Sequence, residues 1–253
     1  MADVKVYLSH GGGVNSWALY LYLIEQGEVP GQDFEAVFVD HGTDWPETYE
    51  YLNIMMEKGY PVTVLKPEYG GFEILYDYCQ RWSVIPSRIP GMRWCTQNFK
   101  VESLKAYYKP PCIEYIGFDV GEKNRMTGVI GKVGVEQDFP LITAEIDRGG
   151  CEEIIRRYNL PVPPRSKCYI CPFQTRTEWV ELKRTHPDLF CKATKLEKLI
   201  NERRSAAGKE PVYFRDIPLE TLVKPKTRRE RAKVEQIQLL DADYDMPPCR
   251  CGL

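Results

Sequence analysis

The stretch Ser9-His10-Gly11-Gly12-Gly13-Val14-Asn15-Ser16 constrains this chain more than any other. It follows an alternating apolar run, Val4-Lys5-Val6-Tyr7-Leu8, and precedes an amphipathic run in which Trp17, Tyr20, Leu21 and Ile24 recur at helical spacing. The pattern predicts strand, glycine turn, helix. Glycines let a backbone approach a phosphate closely, and a helix N-terminus supplies unpaired N–H groups with a partial positive charge. The side chains of Asn15 and Ser16 add hydrogen-bonding groups to the same turn. The spacing is neither that of a P-loop nor that of a dinucleotide G-x-G-x-x-G.

Four strand-like runs stand out, at residues 4–10, 35–41, 62–66 and 113–118. Helical patterns separate the first three, and a longer helical and loop region precedes the fourth. That alternation predicts an α/β fold with a parallel sheet and right-handed crossovers. Ligands on such sheets bind beyond the carboxyl ends of the strands. The glycine turn, Asp40-His41-Gly42-Thr43-Asp44 and Gly117-Phe118-Asp119 all fall there. Asp44 and Glu47 read as a variant capping box, with Pro46 in the first helical turn. After about residue 145 the composition changes. Pro161-Val162-Pro163-Pro164-Arg165 leads into Cys168-Tyr169-Ile170-Cys171-Pro172, and helical segments are expected at 177–184 and 193–206. The division expected is therefore an α/β unit over 1–145 and a helical, cysteine-bearing extension over 146–253 packed on it.

Composition excludes some classes. A net charge of −2 argues against a general nucleic-acid field, and no apolar run approaches the length of a membrane span. The N-terminus carries no signal-peptide pattern, so a cytoplasmic location is expected. The nine cysteines are an odd count, which fits metal ligation or thiol chemistry better than a disulfide framework in a reducing compartment. Cys168 and Cys171 form a C-x-x-C pair, which holds one metal or makes a redox couple. Cys95 lies between Arg93 and Lys100, a setting expected to favour its thiolate. Cys79, Cys112, Cys151 and Cys191 lie in apolar or helical contexts and are expected to be buried. A basic run from Lys224 to Lys233 reads as a solvated face, with an anionic or nucleic-acid contact as its functional alternative.

Taken in order, these segments resemble the ATP pyrophosphatase and phosphoadenosine phosphosulfate reductase superfamily, and the DNA phosphorothioation enzymes within it. Gly12-Gly13-Val14-Asn15-Ser16 is similar to G-G-x-D-S, with Asn15 for the usual Asp and Gly11 in the Ser slot. Asp40-His41-Gly42 through Thr48 is similar to D-T-G-x-x-x-P-E-T, Arg93 through Lys100 to R-x-C-T-x-x-x-K, Gly117 through Arg125 to G-x-x-x-x-E-x-x-R, and Cys168 through Phe173 to C-x-x-C-P-F. The resemblance implies a Rossmann-like pyrophosphate-loop unit. It implies nucleotide contacts from Ser9, His10, Gly11, Gly12, Gly13, Asn15, Ser16, Asp40, Thr43 and Gly117, and catalytic roles for Lys100 and Arg125, with Glu122 orienting Arg125 or lining the site. It further implies a [4Fe–4S] cluster on Cys95, Cys168 and Cys171. Cys251, in the terminal C-G-L, is the favoured fourth ligand; Cys249 and an open iron site are the other options.

Three functions follow as expectations. The leading one is an iron–sulfur enzyme that activates a substrate with ATP, releases pyrophosphate and transfers sulfur. Its ligands would be ATP or a sulfonucleotide, with Mg as a candidate companion, and its partners a sulfur-donor protein or thiol reductant and, as one candidate acceptor, a nucleic acid. The second is a phosphoadenosine or adenosine phosphosulfate reductase in which Cys251 attacks sulfur. The third is a nucleotide-binding regulatory module with a structural metal.

Overall fold

The computed structural model describes residues 4–86, 93–128 and 133–225. Cys249, Cys251 and all but the first residues of the basic run lie outside them. Five strands, β1 (Lys5–His10), β2 (Glu35–Val39), β3 (Thr63–Leu65), β4 (Cys112–Ile116) and β5 (Val135–Asp138), form one sheet in the order β3-β2-β1-β4-β5. Every pairing is parallel. The helices are α1 (Val14–Glu25), α2 (Pro46–Glu57), α3 (Leu75–Trp82), α4 (Trp94–Thr96), α5 (Glu102–Tyr107), α6 (Pro140–Thr143), α7 (Arg148–Arg157), α8 (Arg176–Thr185), α9 (Pro187–Ala206) and α10 (Leu219–Leu222). A π-helical turn spans Gln97–Val101 and a 3-10 helix spans Val120–Gly128.

Two compact units divide the chain: Met1–Leu75 with Ile89–Cys168, and Tyr76–Arg88 with Tyr169–Leu253. The first holds the whole sheet. Alternate residues of its central strands supply two cores. Leu8 and Phe38 join Trp17, Leu21, Ile154 and Ile155 under α1 and α7. Tyr7, Val37 and Val39 meet Leu104 and Tyr108 on the other face. An α/β sheet covered on both faces is thus the observed fold class, as the alternation predicts. The expected boundary at 145 is displaced. Cys151, Ile154, Ile155 and Leu160 are buried in the α1 core, and that burial keeps the chain in the first unit through Cys168. β5 has no counterpart among the expected strands. It is an edge strand with only Val135 and Gln137 partly buried, so it lacks a strong apolar signal.

The second unit is helical. Thr175 and Glu178 form a reciprocal capping box that starts α8. Trp179, Leu182, Leu196, Ile200, Phe214 and Leu219 are almost wholly buried. Glu197 is buried among them and accepts hydrogen bonds from the Phe214 and Leu219 N–H groups at 3.1 and 2.9 Å. Burial raises its carboxyl pKa above the usual range, partly offset by those two N–H donors. Cys79, Cys112 and Cys151 are buried as expected. Cys191, also buried, is disulfide-bonded, which the cysteine count did not anticipate.

Sheet order fixes where a ligand would sit. From β1 the chain winds outward through β2 and β3, then returns to place β4 and β5 on the other side. The switch point therefore lies between the ends of β1 and β4. There the turn after β4 presses on the first turn of α1. A Cβ on Gly117 would come within 3.0 Å of the Asn15 carbonyl oxygen and 3.3 Å of the Ser16 Cα. Because the obstacle is backbone, it cannot rotate away. Gly117→Ala should lower the unfolding free energy by about 1–3 kcal/mol, read as a lower urea midpoint with an unchanged slope; an unshifted midpoint would contradict so close an approach.

Candidate functional site

His10 ends β1 and shapes the glycine loop. Its Nδ1 accepts the Gly12 N–H at 3.2 Å, while its ring meets Trp17 edge to face at 4.3 Å. Burial lowers its pKa to about 3, so it is neutral. Gly12 adopts a φ of +74°, and a Cβ there would fall 2.7 Å from Thr48 Cγ2. Ser16 Oγ accepts the Gly11 N–H at 3.0 Å. Gly13 caps α1 without a side-chain bond, and the first turn of α1 holds no acidic residue. That leaves first-turn N–H groups of α1 without an intrahelical acceptor, which suits an anion. Ser9 lies inside β1, where its side chain hydrogen-bonds Tyr108.

Across the switch point, Asn15 Nδ2 donates to Asp119 Oδ2 and Glu122 Oε2, both at 2.9 Å. Its Oδ1 accepts from Arg148 Nη1 at 3.1 Å. The side chain expected to meet a nucleotide is thus engaged within the protein. Glu122 pairs with Arg125, as the resemblance implies, and the Arg125 guanidinium also lies 4.3 Å from the Phe118 ring centroid.

The loop after β2 makes a second polar centre. Asp40 Oδ1 accepts from the Gly42 N–H and the Tyr49 hydroxyl, each at 2.8 Å, and its Oδ2 pairs with Lys66. Burial works to raise the Asp40 pKa, but these three donors outweigh it and the carboxyl sits below its usual range. His41 Nδ1 faces Thr43 Oγ1 at 2.8 Å and the Thr43 N–H at 3.3 Å. Burial, reinforced by Lys100, lowers the His41 pKa to about 4. Asp44 does not cap α2; Trp45 occupies that position without a side-chain bond. Instead Asp44 Oδ2 lies 3.7 Å from both His41 Nε2 and Lys100 Nζ. Lys100 reaches it from the π-helical turn, an irregularity that re-aims side chains.

A strap formed by residues 165–168 crosses these loops. Ser166 packs against Gly13, where an added Cβ would be 3.7 Å from the Ser166 Cβ. The Trp45 N–H donates to the Lys167 carbonyl at 2.8 Å, and Lys167 Nζ stands 4.4 Å from the Trp45 ring centroid. Cys168 pairs with Asp44 in an isolated antiparallel bridge, and its Sγ is 3.1 Å from Thr43 Oγ1.

The first unit therefore brings the glycine loop, Asp40, Thr43, Lys100, Gly117, Arg125 and Cys168 to the carboxyl end of its sheet. Cys95 lies within the electrostatic reach of Lys100. The expected thiolate preference of Cys95 is not met. Burial raises its pKa, outweighing the Thr96 hydrogen bonds and Lys100. Cys171 belongs to the second unit, and Cys251 lies outside the described residues. Among the described residues, no three Cys, His, Asp or Glu side chains come together as a metal site. Cys95, Cys168 and Cys171 are thiols rather than disulfides.

Lys66, Arg148, Ser166 and Lys167 were not singled out from the sequence. Lys66 had a usable signal, since it immediately follows β3. Arg148 and Ser166 had none, because their partners lie more than a hundred residues away. A cavity of about 750 Å³ in the second unit, lined by Thr194, Glu197, Asn201, Tyr213 and Glu220, contains none of the expected site residues.

No family model matches the chain, and no curated protein matches it. Among solved structures, it is similar to the crystal structure of a phosphoadenylyl-sulfate reductase from Candida auris in a phosphate complex. The identity is 16% and the TM-score 0.47, with 64% of this chain and 76% of that chain covered. No described helix is long and apolar enough to cross a membrane.

The buried histidines give a pH prediction. Burial holds both folded-state pKa values below the ordinary histidine value of 6.5. Below pH 6.5 the unfolded chain takes up protons that the folded chain excludes, so stability falls with acidification. The loss between pH 6.5 and pH 5 should be about 1.6 kcal/mol per histidine. Urea unfolding at the two pH values measures it, and His41→Gln should remove part of the dependence; equal midpoints for the native chain would show that these rings are not buried neutral.

Proposed function

We propose that this chain is an enzyme that binds an adenine nucleotide at the glycine loop and couples loss of its pyrophosphate to sulfur chemistry at adjacent thiols. The strap carries this reading. One four-residue segment places Ser166 against Gly13 and Cys168 Sγ 3.1 Å from Thr43 Oγ1. A thiol and the glycine turn thereby share the carboxyl edge of the sheet.

In this reading the first-turn N–H groups of α1 hold the β- and γ-phosphates of ATP. An acceptor atom bonds to the α-phosphorus, the α–β bridging P–O bond breaks, and pyrophosphate leaves. Lys100 and Arg125 stabilise the charge that develops on it. Lys100 exchanges Asp44 for phosphate when the anion is present. Arg125 presents a guanidinium whose orientation Glu122 and Phe118 already restrict, which suits bidentate contact with an oxyanion. Asp40, with Lys66 and Tyr49 as partners, shapes the loop that borders the nucleotide.

The thiol chemistry is assigned to a [4Fe–4S] cluster on Cys95, Cys168 and Cys171, with Cys251, Cys249 or an open iron site at the fourth position. Its support is the donor chemistry of the three described thiols and the position of Cys168. A cluster there would supply electrons or carry sulfur. The phosphate steps above do not depend on it.

Two measurements test the proposal separately. Pyrophosphate should compete with ATP for the chain in a binding titration, and Lys100→Ala should weaken pyrophosphate binding by roughly 10- to 100-fold. Absence of binding to either ligand would overturn the nucleotide assignment. Anaerobically purified protein should contain about four irons and four acid-labile sulfides per chain, lost in Cys168→Ser. Zinc, or no metal, would overturn the cluster and leave the nucleotide assignment standing.

A further inference from the structure

At the junction of the β4 turn with α1 stands an amide, Asn15, to which the nucleotide reading gives no part. Two carboxylates converge there: Asp119, at 5% exposure, and Glu122. The group between them is an amide. Asn15 Nδ2 lies 2.9 Å from each, donating one N–H to Asp119 and the other to Glu122. Arg148, at the start of α7, donates to the amide oxygen at 3.1 Å. Both donors and the acceptor of Asn15 are occupied, so its amide has one orientation that satisfies all three partners. Asp119 Oδ1 also accepts the Glu122 N–H at 3.1 Å, closing the turn. The remaining oxygen of Glu122 holds Arg125.

We propose that Asn15 is a positioning residue that takes the place of a divalent cation, joining Asp119 to Glu122 and so setting Arg125 beside the glycine loop without metal. Two ionised carboxylates that share one small region repel, and burial of Asp119 strengthens the repulsion. A divalent cation between them would relieve it. Here the amide gives each carboxylate a donor, and Arg148 supplies positive charge one bond further out. An aspartate at position 15 would create a third carboxylate in the same place and restore the need for a cation. An apolar side chain would leave both carboxylates without their donor. The role assigned to Arg125 rests on the proposed function; the role of the amide does not.

Thermal unfolding of the full chain in EDTA and in about 5 mM Ca²⁺ tests this. The native chain should unfold at the same temperature in both. Asn15→Asp should fall by roughly 5 °C in EDTA and recover with Ca²⁺ in a saturable way. If Asn15→Asp folds only with Ca²⁺ present and unfolds on chelation, that is the same result in stronger form. Asn15→Leu should fall without recovery. A native chain stabilised by Ca²⁺, or an Asn15→Asp variant that is insensitive to it, would overturn the proposal. The link to Arg125 is read from pyrophosphate titrations in EDTA. Asn15→Ser and Arg125→Ala should each weaken binding roughly tenfold, and the double variant no further than the worse single. Additive losses would refute the coupling. If the native chain binds no pyrophosphate, the proposed function fails, and the Ca²⁺ comparison still decides the role of Asn15.

Discussion

Close approach of two backbones at the end of the sheet governs the rest of the first unit. The turn after β4 lies against the first turn of α1 because residue 117 has no Cβ. That contact brings Asp119 and Glu122 within reach of Asn15, and through Glu122 it sets Arg125. The parallel sheet order makes the meeting possible, since it puts β1 and β4 side by side while their connections leave in opposite directions. The same order places Arg148 above Asn15, because α7 packs on α1. Electrostatics at this edge follow from topology, and the side chains adjust to it.

Much of the framework is legible in the chain. The alternation before the glycine turn and the helical spacing of Trp17, Tyr20, Leu21 and Ile24 are local signals, and the helix forms where they predict it; its burial is wider than the expected face, with Ala18, Leu19 and Leu23 buried as well and Ile24 only partly so. The four expected strands appear with ends shifted by no more than two residues. β5 escapes because half its residues face solvent and none forms an apolar run. The unit boundary escapes for a different reason. Nothing near residue 145 reveals that Ile154 and Ile155 will bury against α1, since the interaction is long-range and depends on the completed sheet.

The site was legible by position more than by role. The carboxyl ends of β1, β2 and β4 carry the residues expected there. Their assigned contacts differ, because short-range pattern shows which residues stand at a turn but not which donors they meet. Asn15 and Asp40 are engaged by protein partners. Asp44 reads as a helix cap from spacing alone, yet it faces Lys100, a residue from a separate helical turn. Cys95 shows the same limit in its charge state. Two neighbouring cations suggest a thiolate, while burial, which is invisible locally, reverses the direction. The residues missed altogether, Arg148 and Ser166 above all, belong to contacts made only after α7 and the strap have docked.

The ends of β1 and β2 repeat one small motif. In each, a buried histidine uses Nδ1 to accept the N–H two residues further on, from Gly12 in one loop and from Thr43 in the other. In each loop the imidazole ties the following turn to the end of its strand. Neither turn can change shape without giving up a buried hydrogen bond, so the two loops at this edge resist deformation for the same reason.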